Sequence, residues 1–214
     1  MSNTHENMDR MYRLQRYFYD LSRKYYLLGR DQLLTEMKVL PGERVLDAGC
    51  GTARNLIILG KRHPEAKLFG LDASAAMLET AQAKVDTADV KNIQLRTALA
   101  DDFTFDKIFD LIEPFDKIFF SYSISMIPSW RESIENALKN LKTGGQLFIV
   151  DFYDQNGLPA PFRRFLQRWL KLFHVEYPAL LIPFLRELEQ SGKIELELKE
   201  LYRGYSLLVR SSKK

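Results

Sequence analysis

Arg44-Val45-Leu46-Asp47-Ala48-Gly49-Cys50-Gly51-Thr52-Ala53-Arg54-Asn55 is the stretch on which the reading of this chain turns. Its first half is a short, largely apolar strand that ends in an acid. Its second half is a glycine turn that opens a helix, from about Asn55 to Arg62. The first glycine permits a tight turn, and the second lets a ligand approach the backbone with no Cβ in the way. Roughly 20 residues on, where a carboxylate can take both hydroxyls of a ribose, Phe69-Gly70-Leu71-Asp72 puts an acid at the tip of the next strand. Strand, Gly-x-Gly turn, helix and strand-end acid, in that order, mark a nucleotide site outside the carboxyl ends of a parallel sheet.

Outward from this stretch the alternation continues. Lys67–Leu71, Ile93–Thr97, Phe115–Tyr122 and Gln146–Asp151 read as strands, the third of them an apolar run suited to a buried central position. Ala75–Lys84 and Trp130–Leu141 read as helices, the second stopped by Gly144-Gly145. Residues 8–38 read as one helix ended by Pro41-Gly42, and Ala160–Ser191 as a long helical region. Ile194–Tyr202 and Tyr205–Val209 form a terminal hairpin about Arg203-Gly204. The pattern predicts a single α/β domain: a Rossmann-like, doubly wound, mostly parallel sheet with a C-terminal antiparallel hairpin. Residues 1–40 are expected to be a helical lid on the domain formed by residues 41–214.

Composition narrows the function classes. With 214 residues there is room for one such domain. A net charge of +3 is too weak to argue for nucleic acid, and none is expected as a partner. The single cysteine, Cys50, cannot form an internal disulfide, and its place in the glycine turn suits a small packing side chain. Met1–Asp20 carries charges throughout, unlike a signal peptide, and no apolar run approaches a bilayer span of about 20 residues. A cytoplasmic address is expected. His5, His63 and His174 lack ligand spacing, and Asp101, Asp102, Asp106 and Asp110 read as a solvated acidic loop, so no metal is expected.

Two nucleotide-site readings compete, a dinucleotide oxidoreductase and a methyltransferase. Asp47, ahead of the glycines, would repel a pyrophosphate but suits a ligand bearing an ammonium group. The antiparallel hairpin also departs from the all-parallel dinucleotide sheet. On these residues the stretch 41–151 resembles the class I S-adenosylmethionine-dependent methyltransferases. The resemblance implies that Asp47, Gly49 and Gly51 hold the methionine moiety of S-adenosyl-L-methionine, that Asp72 binds its ribose, and that Met77 packs on adenine. Ala100 or Asp101 would meet the adenine edge. The sequence departs from that pattern at Ala53, where many members have a third glycine, and at Leu99, where an adenine-binding acid is common.

Four further stretches narrow the resemblance: Tyr19–Asp31, Gly51–Leu56, Ser121–Pro128 and Tyr202–Tyr205. They are similar to bacterial N-methyltransferases that convert diacylglyceryl-homoserine to its trimethyl betaine lipid. Phosphatidylethanolamine N-methyltransferases are close in plan, and a soluble small-molecule methyltransferase and a non-catalytic binding module are the other readings. Methylating an amine needs positioning, loss of a proton and a place for the growing cation, which aromatic faces supply. The chain has 10 tyrosines. Tyr122, Asp151 and Tyr153, at strand ends, are the candidate catalytic residues, with Asp151 and Tyr153 best placed for the amine. Tyr19, Tyr25 and Ser121 join the cofactor candidates, and Arg30 is a candidate partner for a carboxylate of cofactor or headgroup.

One helix bears on location. Wound at about 100° per residue, residues 162–173 place Phe162, Phe165, Leu166, Trp169, Leu170, Leu172 and Phe173 on one apolar arc. Arg163, Arg164, Gln167, Arg168 and Lys171 fill the opposite arc, with no acid among them. Such a helix suits peripheral contact with an anionic membrane, delivering a lipid with an amine headgroup to the site.

Overall fold

Strand β1 (Arg44–Ala48) runs through the middle of the sheet, its last four residues buried. The computed structural model describes residues 27–171 and 177–214. Strand β1 pairs in parallel with β2 (Lys67–Asp72) on one side and β4 (Phe115–Ser121) on the other. Parallel strands β3 (Ile93–Thr97) and β5 (Leu141–Phe152) extend the sheet outward. Strand β7 (Ser206–Lys213) then joins β5 antiparallel, and β6 (Ile194–Leu201) joins β7 antiparallel. The order β3-β2-β1-β4-β5-β7-β6 is the doubly wound, mostly parallel sheet with a C-terminal hairpin expected from the sequence.

Alternating side chains of the strands serve two cores. Val45, Phe119 and Phe148 face one layer, packed against helices α1 (Arg30–Glu36), α2 (Arg54–Arg62), α3 (Ala75–Thr87) and α6 (Ala160–Lys171). Leu46, Phe120 and Ile149 face the other, packed against α4 (Phe105–Phe109), α5 (Trp130–Asn140) and α7 (Leu181–Gln190). No helix among the described residues is long and apolar enough to cross a membrane.

Three expected elements differ in detail. The helix expected over 8–38 is, among the described residues, only Arg30–Glu36. Gly29 ahead of it takes a left-handed φ of 91°, and a Cβ there would lie 2.8 Å from Leu201 Cδ1. Helix α5 does not need Gly144-Gly145 to stop. It ends at Asn140, whose side chain donates to Phe103 O and accepts from Phe105 N, and both glycines fall inside β5. The region 160–191 is divided into α6 and α7, with Pro178, which has no N–H to continue a helix, between them.

Candidate active site

The turn after β1 is stitched to the neighbouring strand: the N–H groups of Gly49 and Cys50 both donate to Leu71 O, at 2.9 and 3.0 Å. Gly49 has φ 86°, and a Cβ on it would come within 2.7 Å of Ser123 Cβ. Glycine is therefore required there twice over, by backbone conformation and by space. Ala53 closes the turn at φ 58°, accepting the left-handed strain that a third glycine would avoid.

Asp72 sits at the end of β2 with both carboxylate oxygens engaged by backbone. Oδ2 accepts from Gly51 N at 2.8 Å and Oδ1 from Ser74 N at 2.9 Å. Each oxygen keeps lone pairs for a further donor. Ser74 in turn caps α3, its Oγ accepting from Met77 N at 3.3 Å, which fixes Met77 one turn into the helix.

These residues open on a cavity of about 370 Å³. Of the candidates read from the sequence, Gly49, Gly51, Asp72, Met77, Ala100, Asp101 and Tyr122 line it. Leu99 lines it as well, more than half exposed, so an apolar side chain stands where an acid is common. The far wall, Ser123 and Met126–Ser129, shares residues with the Ser121–Pro128 stretch but contains none of the expected site residues.

Asp47 lies behind the cavity, fully buried, with Asn55 Nδ2 3.4 Å from Oδ2 and, among the described residues, no partner for Oδ1. Burial pushes its carboxyl up to about 8, and the nearby charge of Asp72 acts in the same direction, while Asn55 and Arg30 oppose it. Arg30, itself buried at the start of α1, is thus brought within electrostatic reach of Asp47 and Tyr122. Ser121 ends β4 with its Oγ buried and unpartnered. Cys50 is buried, and that burial pushes its thiol well above the ordinary range, as packing rather than reactivity requires.

The three candidate catalytic residues fall in three different settings. Tyr122 is buried at φ 55°, its hydroxyl donating to Leu28 O and its ring edge-on to Phe152 at 4.8 Å. Burial raises that hydroxyl well above its ordinary pKa. Asp151 is 1% exposed and accepts from Ser125 N at 3.0 Å and Phe152 N at 2.8 Å. It is pushed up to about 6 by burial, against those N–H donors. The Ser125 bond braces the 3₁₀ turn Ile124–Met126, whose end forms the cavity wall. Tyr153, the next residue but one, meets Tyr177 edge to face at 5.3 Å. Both tyrosines line a second, more open cavity of about 970 Å³ beneath α6. Tyr19 and Tyr25 lie outside the described residues. Among the described residues no group of His, Cys, Asp or Glu is arranged to hold a metal.

Comparison with known proteins now adds one decisive match: residues 40–189 fit the methyltransferase domain family. The chain belongs to that family. It is an enzyme of the class I, Rossmann-like kind, and its methyl donor is S-adenosylmethionine. A demethylmenaquinone methyltransferase of Listeria monocytogenes serotype 4a is 27% identical over 191 residues, 89% of this chain and 75% of the relative. Among solved structures, YcgJ of Bacillus subtilis superposes with a TM-score of 0.68 at 14% identity, covering 87% of this chain and 98% of that one. A SAM dependent methyltransferase of Aquifex aeolicus gives 0.63 at 20%, covering 90% and 93%. At those identities the two structures share the fold.

Proposed function

We propose that this methyltransferase acts on the amine of a lipid headgroup, adding methyl groups in succession, with diacylglyceryl-homoserine as the leading acceptor and phosphatidylethanolamine the alternative. The observation that carries the reading is the Tyr153–Tyr177 pair over a large cavity, at the end of the strand beside the one that ends in the cofactor pocket. Each methylation leaves the nitrogen more firmly cationic, and aromatic faces hold such a cation without a metal. Both tyrosine hydroxyls are raised above their ordinary pKa, Tyr177 to about 12, chiefly by burial, so the pair stays neutral while it does so.

The residues of the first cavity fit S-adenosylmethionine. The Gly49 cradle would be filled by any Cβ, and Asp72 has lone pairs left for two ribose hydroxyls, while Asp47 stands behind the turn and does not line the cavity. Met77, Ala100 and Asp101 line the end assigned to adenine. When bound, the cofactor supplies an electrophilic methyl group on sulfur. The chain's part is to hold the acceptor nitrogen in line with its lone pair free, which a desolvated pocket favours. Asp151, closed off by two backbone N–H groups, acts in this reading as a positioning residue for the cavity wall rather than as a contact of the amine. The membrane partner rests on α6, where Phe162 and Phe165 remain exposed at 49% and 68%.

The test is product identity. The protein and methyl-labelled cofactor are incubated separately with diacylglyceryl-homoserine, phosphatidylethanolamine and demethylmenaquinone, and products are read by mass spectrometry. Mono-, di- and trimethylated lipid amine is expected. The similarity to demethylmenaquinone methyltransferases favours a second reading, in which demethylmenaquinone is the acceptor; its methylation with both lipid amines untouched would establish that reading instead.

A further inference from the structure

The second cavity holds a feature that methylation of an amine does not call for. Arg164 and Arg168, one turn apart on α6, both line it. Among the described residues neither has an acid partner; Arg164 is held only by its own helix, Nε to Ala160 O at 3.4 Å. The one acid in the lining, Asp154, is already occupied, accepting from Asn156 N at 2.9 Å and Asn156 Nδ2 at 2.6 Å. Among the described residues, therefore, the two guanidiniums line the cavity without an ion-pair partner.

The cavity is built rather than incidental. Arg163 Nη1 donates to Asn156 Oδ1 at 3.0 Å, tying the helix to the floor loop through Asn156 and Asp154. Gln155, in the floor, is 3% exposed at φ 60°, its N–H donating to Gly204 O at 2.8 Å and its Oε1 without a partner among the described residues. A Cβ on Gly157 would lie 2.5 Å from Arg203 O, so floor and hairpin turn are in close contact. Around α6 the buried face (Leu166, Leu170) comes first, then the cavity face (Arg164, Gln167, Arg168), then the exposed stripe of Phe162 and Phe165. The two cations thus lie between the cavity and an apolar surface.

We infer that Arg164 and Arg168 form an oxyanion subsite that holds the phosphate or carboxylate of a lipid headgroup while its chains lie along Phe162 and Phe165. The inference rests on the lipid reading above, and it names the side chains that select among lipids. Paired guanidiniums suit a multi-oxygen anion because their N–H groups reach it in parallel. An anion at this place on the helix also orients the headgroup relative to Tyr153 and Tyr177, which line the same space.

Binding tests it without cofactor or turnover. Dihexanoyl phosphatidic acid and inorganic phosphate are titrated separately into the full chain, wild type and Arg164→Gln/Arg168→Gln, by calorimetry. Circular dichroism confirms that the double variant is folded. The short-chain lipid is expected to bind wild type at least tenfold more tightly than the double variant, with inorganic phosphate weaker than the lipid and displaced by it. Equal lipid affinity for the two proteins, or no binding to wild type, would overturn the subsite. Phosphate binding as tightly as the lipid would show a free-anion site and would also overturn it. Should the lipid bind as expected while no lipid amine is methylated, the proposed reaction fails and the subsite stands.

Discussion

Two acids near the ends of adjacent strands sit in opposite settings. Asp72 lines the cavity, partly exposed, and is hydrogen-bonded by Gly51 and Ser74, so it is already arranged as an acceptor. Asp72→Ala removes the acceptor of two ribose bonds and leaves the two backbone N–H groups to water, and cofactor affinity should fall by about 1.5–3 kcal/mol. Calorimetric titration of the folded variant measures this, and unchanged affinity would remove the ribose assignment. Asp47 is buried, with its folded pKa at about 8, far above the ordinary carboxyl range. A raised carboxyl contributes stability that is fully present below the unfolded value of about 4 and is lost as pH rises through the folded value. The melting temperature of the cofactor-free chain should therefore decline from pH 6 to pH 8. In Asp47→Asn that decline should flatten, since the amide does not titrate, and an equally steep slope in the variant would show that another group causes it. The strand-end positions of Asp47 and Asp72 were legible in the residues; that only Asp72 lines the cavity was not.

At the scale of elements, the 3₁₀ turn Ile124–Met126 depends on a residue from another strand. Asp151 accepts from Ser125 N and Phe152 N where no water reaches. Asp151→Ala leaves the buried Phe152 N unpaired, at a cost of about 1–3 kcal/mol, and takes the acceptor from the part-buried Ser125 N. Melting temperature should drop, and cofactor KM should rise more than acceptor KM, because the turn leads into the cofactor wall; Asp151→Asn, which keeps one acceptor, should be milder. Helix α6 was read from the sequence as one apolar arc against one basic arc. The structure divides the apolar arc: Leu166 and Leu170 are 5% exposed in the core, whereas Phe162 and Phe165 face outward. Leu172 and Phe173 lie outside the described residues. Sedimentation with anionic vesicles should show binding that weakens as salt rises, and Phe162→Ser/Phe165→Ser should lose it. Binding that survives this change would place the membrane contact elsewhere.

For the whole molecule, the seven-stranded sheet and its two helical layers serve to bring the ends of β1, β2 and β4 to one edge, with β5 beside them. Cofactor bridging the turn after β1 and the end of β2 binds only the folded chain, so it should stabilise by mass action, about 2.7 kcal/mol at a hundredfold excess over Kd. A thermal shift that grows with S-adenosylmethionine concentration is expected in wild type and at much higher concentration in Asp72→Ala. A shift identical in the two proteins would place the bound cofactor outside this edge.

By itself the sequence determined the succession of strands, the terminal antiparallel hairpin and the glycine turn after β1. Each of these depends on neighbours in the chain: alternating apolar residues, glycine conformations and an acid at a strand tip are local properties. It missed the break inside 160–191, read as one helical region and divided in the fold into α6 and α7. The tertiary structure alone decided which side chains share a cavity. Tyr153 meets Tyr177 across a fold of the chain, Ser123 closes on Gly49, and the arginines of α6 face a cavity whose floor is held by the hairpin turn. Such contacts join residues far apart in sequence, and no local spacing encodes them. Tyr177 and Gln155 carried no signal for this reason: one sits in what reads as continuous helix, the other in a loop whose left-handed φ glutamine seldom adopts.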